Sequence, residues 1–381
     1  MQLLSILSKL VSFKSISPND GGSIDFIIDL LERKKFKCEK LIYGKKNDQS
    51  ETVNLYAYYQ RGNGPNLCFA GHVDVVPSGD LKIWKTNPFK ATIKKEIIYG
   101  RGVSDMKGAI ASYIYAINNF LEKFKNFKGT LSLLLTSDEE GEANFGTKQV
   151  VNWLERKNIK LDYCVVGEPT NPNFLGEMAK IGRRGSLNCK LKINGKQGHV
   201  GYPDRAKNPI TDAIKFCNEL KKPLDKGNKF FQPSNLEITS FDVDNKVTNL
   251  IPQSAYISFN VRFNDYFNSK SLIELIKKRL LKVGKNFALE AKVSGESFYN
   301  PSKELTKHLT SSVFETTGKT LSLSTTGGTS DARFISKICP VIEFGSVGKT
   351  MHQIDENVKI SDLEKLSEIY FGLIKKIFTD K

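Results

Sequence analysis

The chain has 381 residues, 57 Lys and Arg against 41 Asp and Glu, a formal charge of +16, and 39% apolar and 26% charged residues. That length provides for one large domain or two ordinary ones with a sizeable core, and the balance excludes a disordered or fibrous chain. The basic residues are 47 Lys and 10 Arg with no basic tail, which reads as a solvated Lys-rich surface and argues against a nucleic-acid binder.

The opening residues, MQLLSILSKLVSF, carry Leu3, Leu4, Leu7, Leu10 and Val11 at helical spacing. They lack a basic leader and a cleavage site, so a first helix is expected and not an export signal. A helix over 25–35, strands over 53–60 and 67–70, a helix over 109–123, a strand over 130–136, a helix over 147–157 and a strand over 163–166 follow. This alternation predicts an α/β domain with a mostly parallel central sheet. From about residue 180 the order becomes strand 186–193, helix 209–220, strands 235–242 and 254–263, helix 271–283 and strand 287–294. That is the βαββαβ order of a ferredoxin-like unit. A strand over 341–344 and an amphipathic helix over 363–378 return to α/β character. The chain thus divides into a discontinuous domain of 1–179 and 294–381 and an insertion of 180–293, and the insertion holds 22 Lys and Arg against 10 Asp and Glu. Six scattered cysteines without a close pair suit a reduced, cytoplasmic setting, and no apolar run approaches the roughly 18 residues of a membrane span.

Acids and histidines gather just past strand ends, where open α/β sheets carry their functional loops. His72 and Asp74 follow 67–70 in H-V-D; Asp105 lies in YGRGVSDMKG; Glu139 and Glu140 follow TLSLLLT; Glu168 lies in VGEPT; His352 lies in FGSVGKTMHQIDE. Two imidazoles and three carboxylates suit a pair of Zn²⁺ ions. Ions about 3.5–4 Å apart acidify a shared water and polarise the bond it attacks. A further acid such as Glu139 can take the water's proton and deliver it to a leaving amine, and Asp74 suits the carboxylate that orients a ligand imidazole. Singly, each residue has a plainer reading: Asp105 as a helix start, Glu168 as a turn before Pro169, the Glu pair as a solvated turn. The joint placement argues for a site. Of the other histidines, His308 reads as surface, and His199 in QGHVGYP reads by itself as an ordinary loop histidine.

The loops FAGHVDVVPSGD, YGRGVSDMKGA, TSDEEGEA, VGEPT, GRRGSL, QGHVGYP, TNLIP, STTGGTSDARF and EFGSVGKTMHQIDE resemble, in order and over essentially the whole chain, those of the M20 family of dinuclear zinc amidohydrolases. The resemblance implies a zinc-peptidase-like catalytic domain with an inserted lid that also forms a homodimer interface. It implies one zinc held by His72 and Glu168, another by Glu140 and His352, Asp105 bridging them, and Co²⁺ as a plausible substitute. Glu139 would be general base and then acid, and His199 would reach the partner subunit's site as an oxyanion donor. Substrate contacts by the same match are Arg183, Ser186, Tyr202, Asn249, Arg262, Gly328 and Thr329, the two arginines suiting a carboxylate grip. TGGTSDARF and VGKTMHQIDE favour members that release succinate from N-succinyl-LL-2,6-diaminopimelate, a small anionic substrate. A deacylase of acetylornithine or a dipeptidase is the alternative. Val103 and Asp204 depart from the family pattern, at positions that are not ligands.

Overall fold

The structure, a computed structural model, describes residues 2–379. In chain order the elements used below are α1 (Leu3–Ser12), α2 (Ser23–Glu32), β1 (Lys37–Tyr43), β2 (Thr52–Arg61), β3 (Asn66–His72), α3 (Lys107–Lys123), β4 (Gly129–Thr136), α4 (Thr147–Arg156), β5 (Tyr163–Val166) and β6 (Met178–Lys180). There follow β7 (Gly185–Asn194), α5 (Pro209–Leu220), β8 (Asn235–Asp242), β9 (Ser254–Phe263), α6 (Ser269–Val283) and β10 (Phe287–Gly295), then α7 (Lys303–Thr317), β11 (Ser322–Ser324), β12 (Val341–Glu343) and α8 (Ile360–Thr379).

The chain forms two compact units: one of the residues up to Ile181, 300–324 and Ser330 onward, the other of 182–299 and 325–329. In the first, eight strands run in the order β1-β2-β4-β3-β5-β12-β6-β11. The central β4, β3, β5 and β12 are mutually parallel, whereas β1, β2 and the β12–β6 pair are antiparallel. β4 is buried along its whole length, as its near-continuous apolar run requires of a strand covered on both faces. The core beneath it includes Phe69 stacked on Tyr113 at 4.2 Å, with Tyr370 of α8 edge-on to both. Register matters most for function: His72 pairs with Thr136, and Ala70 with Val166. The carboxyl ends of β3, β4 and β5 therefore lie side by side, and the loops bearing the candidate ligands leave the same sheet edge.

The second unit is an antiparallel sheet ordered β8-β9-β7-β10. β7 alternates inward Leu187, Cys189, Leu191 and Ile193 with outward Asn188, Lys190 and Lys192, and its inner face joins α5 and α6 in one core. Asn208 and Asn268 cap α5 and α6, the latter through a reciprocal box with Ser271. Backbone pairing of Phe298 with Arg183 and Tyr299 with Gly182 carries this unit past residue 293. Thr325 Oγ1 donates to Phe230 O at 2.5 Å and Arg183 Nη1 to Thr326 O at 3.2 Å, which draws 325–329 into it. With these bounds the unit holds 21 Lys and Arg against 11 Asp and Glu.

Other details also differ from expectation. The helix expected over 25–35 ends at Glu32, with Lys35 in the left-handed region at φ 66, and β1 follows it unanticipated. His308 is half-buried and lies 3.8 Å from Glu304. Among the described residues no helix is long and apolar enough to cross a membrane.

Candidate active site

All five expected ligands and Glu139 lie together in the first unit. His72, the last residue of β3, is buried, and its Nδ1 donates to the Asp74 carbonyl oxygen at 2.9 Å. That bond leaves Nε2 as the nitrogen facing Asp105 Oδ1 at 3.2 Å and Glu168 Oε1 at 3.9 Å. His352 Nε2 lies 2.8 Å from Glu140 Oε1 and 3.3 Å from Asp105 Oδ2. Asp105 thus stands between the two imidazoles with one oxygen toward each. One atom from each of His72, Asp105 and Glu140 lies within 4.8 Å of the others, and the same holds for His72, Glu139 and Glu168.

Asp74 plays a part not visible from its neighbour in sequence. The orienting bond to His72 comes from the Asp74 carbonyl, while its carboxylate stands 3.6 Å from Nδ1. That carboxylate instead accepts the backbone N–H of Glu139 at 3.2 Å and of Glu140 at 3.0 Å. It therefore ties the loop after β4 to the loop after β3.

The electrostatics are those of a crowded acidic centre. Burial raises the Glu139 carboxyl well above its usual value, and the charge of Glu168 adds to this. Burial pushes Asp105 up as well, but the bonds from His352 and His72 outweigh it and hold Asp105 below the usual carboxylate range. Bonds to Asp105 and Glu140 push the His352 imidazole up to about 10. Burial pulls His72 down, yet Asp105 and Asp74 outweigh it and raise it well above its usual value. The surrounding acids thus favour the charged form of both imidazoles. A mixed imidazole and carboxylate set with one ring nitrogen already oriented fits a divalent metal centre.

Two residues in the quoted motifs had been given no role. Glu356 is fully buried and accepts from Gly102 N at 3.0 Å, Ser104 N at 2.9 Å, Asp105 N at 3.1 Å and Arg101 Nη1 at 2.8 Å. The available signal was an Arg in the loop of one expected ligand and an acid four residues past another.

The remaining expected residues lie in the second unit. His199 pairs with Leu250 in a two-residue ladder, its ring is 5.7 Å from that of Tyr202, and Asn249 O accepts the N–H of Val200 at 3.0 Å. His199 Nδ1 accepts from Gly201 N at 3.0 Å, so the neutral ring carries its proton on Nε2. Ser186 and Arg262 are cross-strand partners, and Asn260 Nδ2 donates to Ser186 Oγ at 3.1 Å. Arg183 is largely buried and holds the 325–329 segment through Thr326 O. A Cβ at Gly327 (φ +101) would fall 2.4 Å from Arg183 Nη1, whereas one at Gly328 would meet open space beside Thr329.

Residues 68–376 match the model of peptidase family M20/M25/M40. A succinyl-diaminopimelate desuccinylase of Pelagibacter ubique is 49% identical over 98% of this chain and 98% of its own length. Another, of Ehrlichia chaffeensis, is 46% identical over 98% and 97%. Among solved structures, an M20 family metallo-carboxypeptidase of Sulfolobus solfataricus shares the fold with a TM-score of 0.79 at 19% identity, covering 98% of this chain and 99% of that one. A dinuclear metal binding peptidase of the M20 family from Bacillus subtilis aligns with a TM-score of 0.70 at 15% identity, covering 97% and 96%.

Proposed function

This chain belongs to peptidase family M20/M25/M40 and is a hydrolase, and on that premise we propose that it cleaves the amide of N-succinyl-LL-2,6-diaminopimelate to succinate and LL-2,6-diaminopimelate. The observation that carries the proposal is the joining, in one centre, of two imidazoles and three carboxylates with the carboxylate of Glu139. Relatives bearing that activity in their name, alike over nearly the whole length, support the choice of substrate.

Two Zn²⁺ ions per subunit, replaceable by Co²⁺, would be held by His72 and Glu168, by Glu140 and His352, and by Asp105 between them. When bound, such ions lower the pKa of water and polarise a carbonyl. Glu139 takes a proton from the attacking water. The oxygen forms a bond to the succinyl carbonyl carbon, the carbon–nitrogen bond breaks, and Glu139 returns the proton to the departing amine. Its carboxylate shares the centre with His72 and Glu168, which places it to take that proton and release it again. Asp74 keeps Glu139 and Glu140 in place by gripping their amides.

The second unit serves in this reading as lid and homodimer interface. His199 donates Nε2–H to the developing oxyanion in the partner subunit's site, a role supported by its tautomer. Arg183, Ser186, Tyr202, Asn249, Arg262, Gly328 and Thr329 contact the substrate. The setting is the cytoplasm, which the six free cysteines support.

Purified zinc-loaded protein assayed on succinyl-diaminopimelate, acetylornithine and a dipeptide tests the substrate. The expected result is a kcat/KM for the succinylated substrate at least about 100-fold above either rival, the scale on which a site built to bond a polar group discriminates. Equal or faster cleavage of acetylornithine or the dipeptide would overturn it.

A further inference from the structure

We propose that Arg101 and Glu356 form a positioning clamp that sets the metal-binding geometry of Asp105 and His352; the inference rests on the dinuclear reading above. Both residues are buried, and each bonds backbone groups of the loops that carry the expected ligands. One Glu356 carboxylate collects the amides of Gly102, Ser104 and Asp105, the last being the N–H of the expected bridging residue itself. Arg101, paired to Glu356 at 2.8 Å, donates onward to Gln353 O at 3.1 Å, Pro77 O at 3.2 Å and His352 O at 3.5 Å. Its guanidinium also lies 5.2 Å from the centre of the Trp84 ring, and Trp84 Nε1 donates to Ser78 O at 2.8 Å.

A single ion pair thus ties together the loop after His72, the loop that presents Asp105 and the loop that presents His352. The last of these is held in an unfavourable backbone conformation, with His352 and Asp355 both in the left-handed region, at φ 63 and φ 59. Ion pairs that serve only stability can be exchanged for apolar side chains of similar size. An apolar pair here would leave three amides and three carbonyls of the ligand loops without their buried partners. Outer partners of this kind fix the angle at which a ligand meets its ion and typically contribute about 10–100-fold to metal affinity. Arg101 and Glu356 touch no reacting atom in this account; they act through Asp105 and His352.

The test uses cobalt as the probe, with titration calorimetry for affinity and visible absorption for coordination geometry. Glu356→Gln keeps the shape but replaces one accepting oxygen by an NH₂ group, which faces Gly102 N–H and Arg101 as a donor. The expected result is a cobalt dissociation constant raised about 10–100-fold and an altered absorption band. At saturating metal KM should stay within about threefold, because no substrate contact is removed. Arg101→Lys keeps the charge but loses the planar fork, and should shift the same readings in the same direction by a smaller factor. It also serves if Glu356→Gln fails to fold. Leu309→Ala, a cavity in α7 away from the clamp, is the control for lost stability, and should lower Tm with wild-type cobalt affinity and spectrum.

Wild-type cobalt affinity and spectrum in the clamp variants would overturn the inference, and so would an equal shift in Leu309→Ala. Wild-type protein that binds no cobalt overturns both the clamp and the reading beneath it. Protein that binds cobalt, shows the shifts and cleaves none of the three acyl substrates leaves the clamp standing and removes only the activity.

Discussion

Replacing Asp74 by Asn should move two assays in opposite directions. The carboxylate holds Glu139 and Glu140 through amide bonds of 3.2 and 3.0 Å, in a site with no exposure. A bond to a charged acceptor contributes about 1.5–3 kcal/mol against about 0.5–1.5 for a neutral one, so two such bonds weaken together by about 2 kcal/mol. If that anchoring holds Glu139 in the transition state, kcat falls about 30-fold, with KM within about threefold at saturating metal. Stability of the metal-free protein should rise. Burial pushes the Asp74 carboxyl up to about 6, against about 3.9 in an unfolded chain. Between those values the folded state binds more protons than the unfolded, so wild-type stability falls as pH rises through the window and stays lower above it. The deficit is about 2–3 kcal/mol, and the uncharged Asn escapes it. Urea unfolding of metal-free protein should show the variant more stable by that amount near pH 8 and the advantage gone near pH 4. Wild-type kcat in the variant, or lower stability than wild type near pH 8, would refute the reasoning.

Glu139→Gln should retain the wild-type metal content by atomic absorption and lose at least about 100-fold in kcat. Retention of more than about a tenth of the activity removes the base assignment. Gly327→Ala sets a Cβ 2.4 Å from Arg183 Nη1 at φ +101 and should strain the 325–329 segment by about 1–3 kcal/mol. A KM raised about tenfold is expected, and an unchanged KM would detach that segment from substrate binding. The second unit's 21 basic against 11 acidic residues should draw a tricarboxylate substrate. In that case kcat/KM falls several-fold between about 20 and about 150 mM salt, and indifference to salt removes the steering.

Much of this arrangement was legible in the sequence, for reasons that vary by element. Strands such as β4 and β7 announce themselves because burial on two faces or one writes a continuous or alternating apolar pattern. β1, KCEKLIY, lies at the sheet edge and is mostly exposed or half-exposed, so its residues carry little of that pattern. β6 and β11 span three residues each, too few for any periodicity to register. The candidate ligands were legible because His and acidic residues past strand ends are chemically conspicuous. The groups that hold them were not. Asp74 adjoins His72 in sequence but spends its carboxylate on amides 65 and 66 residues away, and Glu356 reaches back more than 250. Such contacts depend on which loops the sheet brings together, which composition and spacing do not encode.

The parallel sheet also sets an order of assembly during synthesis. β12 sits between β5 and β6, although the 174 residues 167–340 separate the end of β5 from Val341. The second unit, whose sheet and helices lie within 182–299, can close its own core while β12 and His352 are still to be made. At about 5–20 residues per second, His352 emerges roughly 10–35 s after Glu168. Until then the acidic cluster lacks one imidazole and the tether at Glu356, and the central sheet has a gap beside β5. Completion of the candidate metal centre is therefore a late event, set by translation of the last stretch of the chain, and a message truncated before codon 341 would yield a folded insertion attached to an unfinished hydrolase.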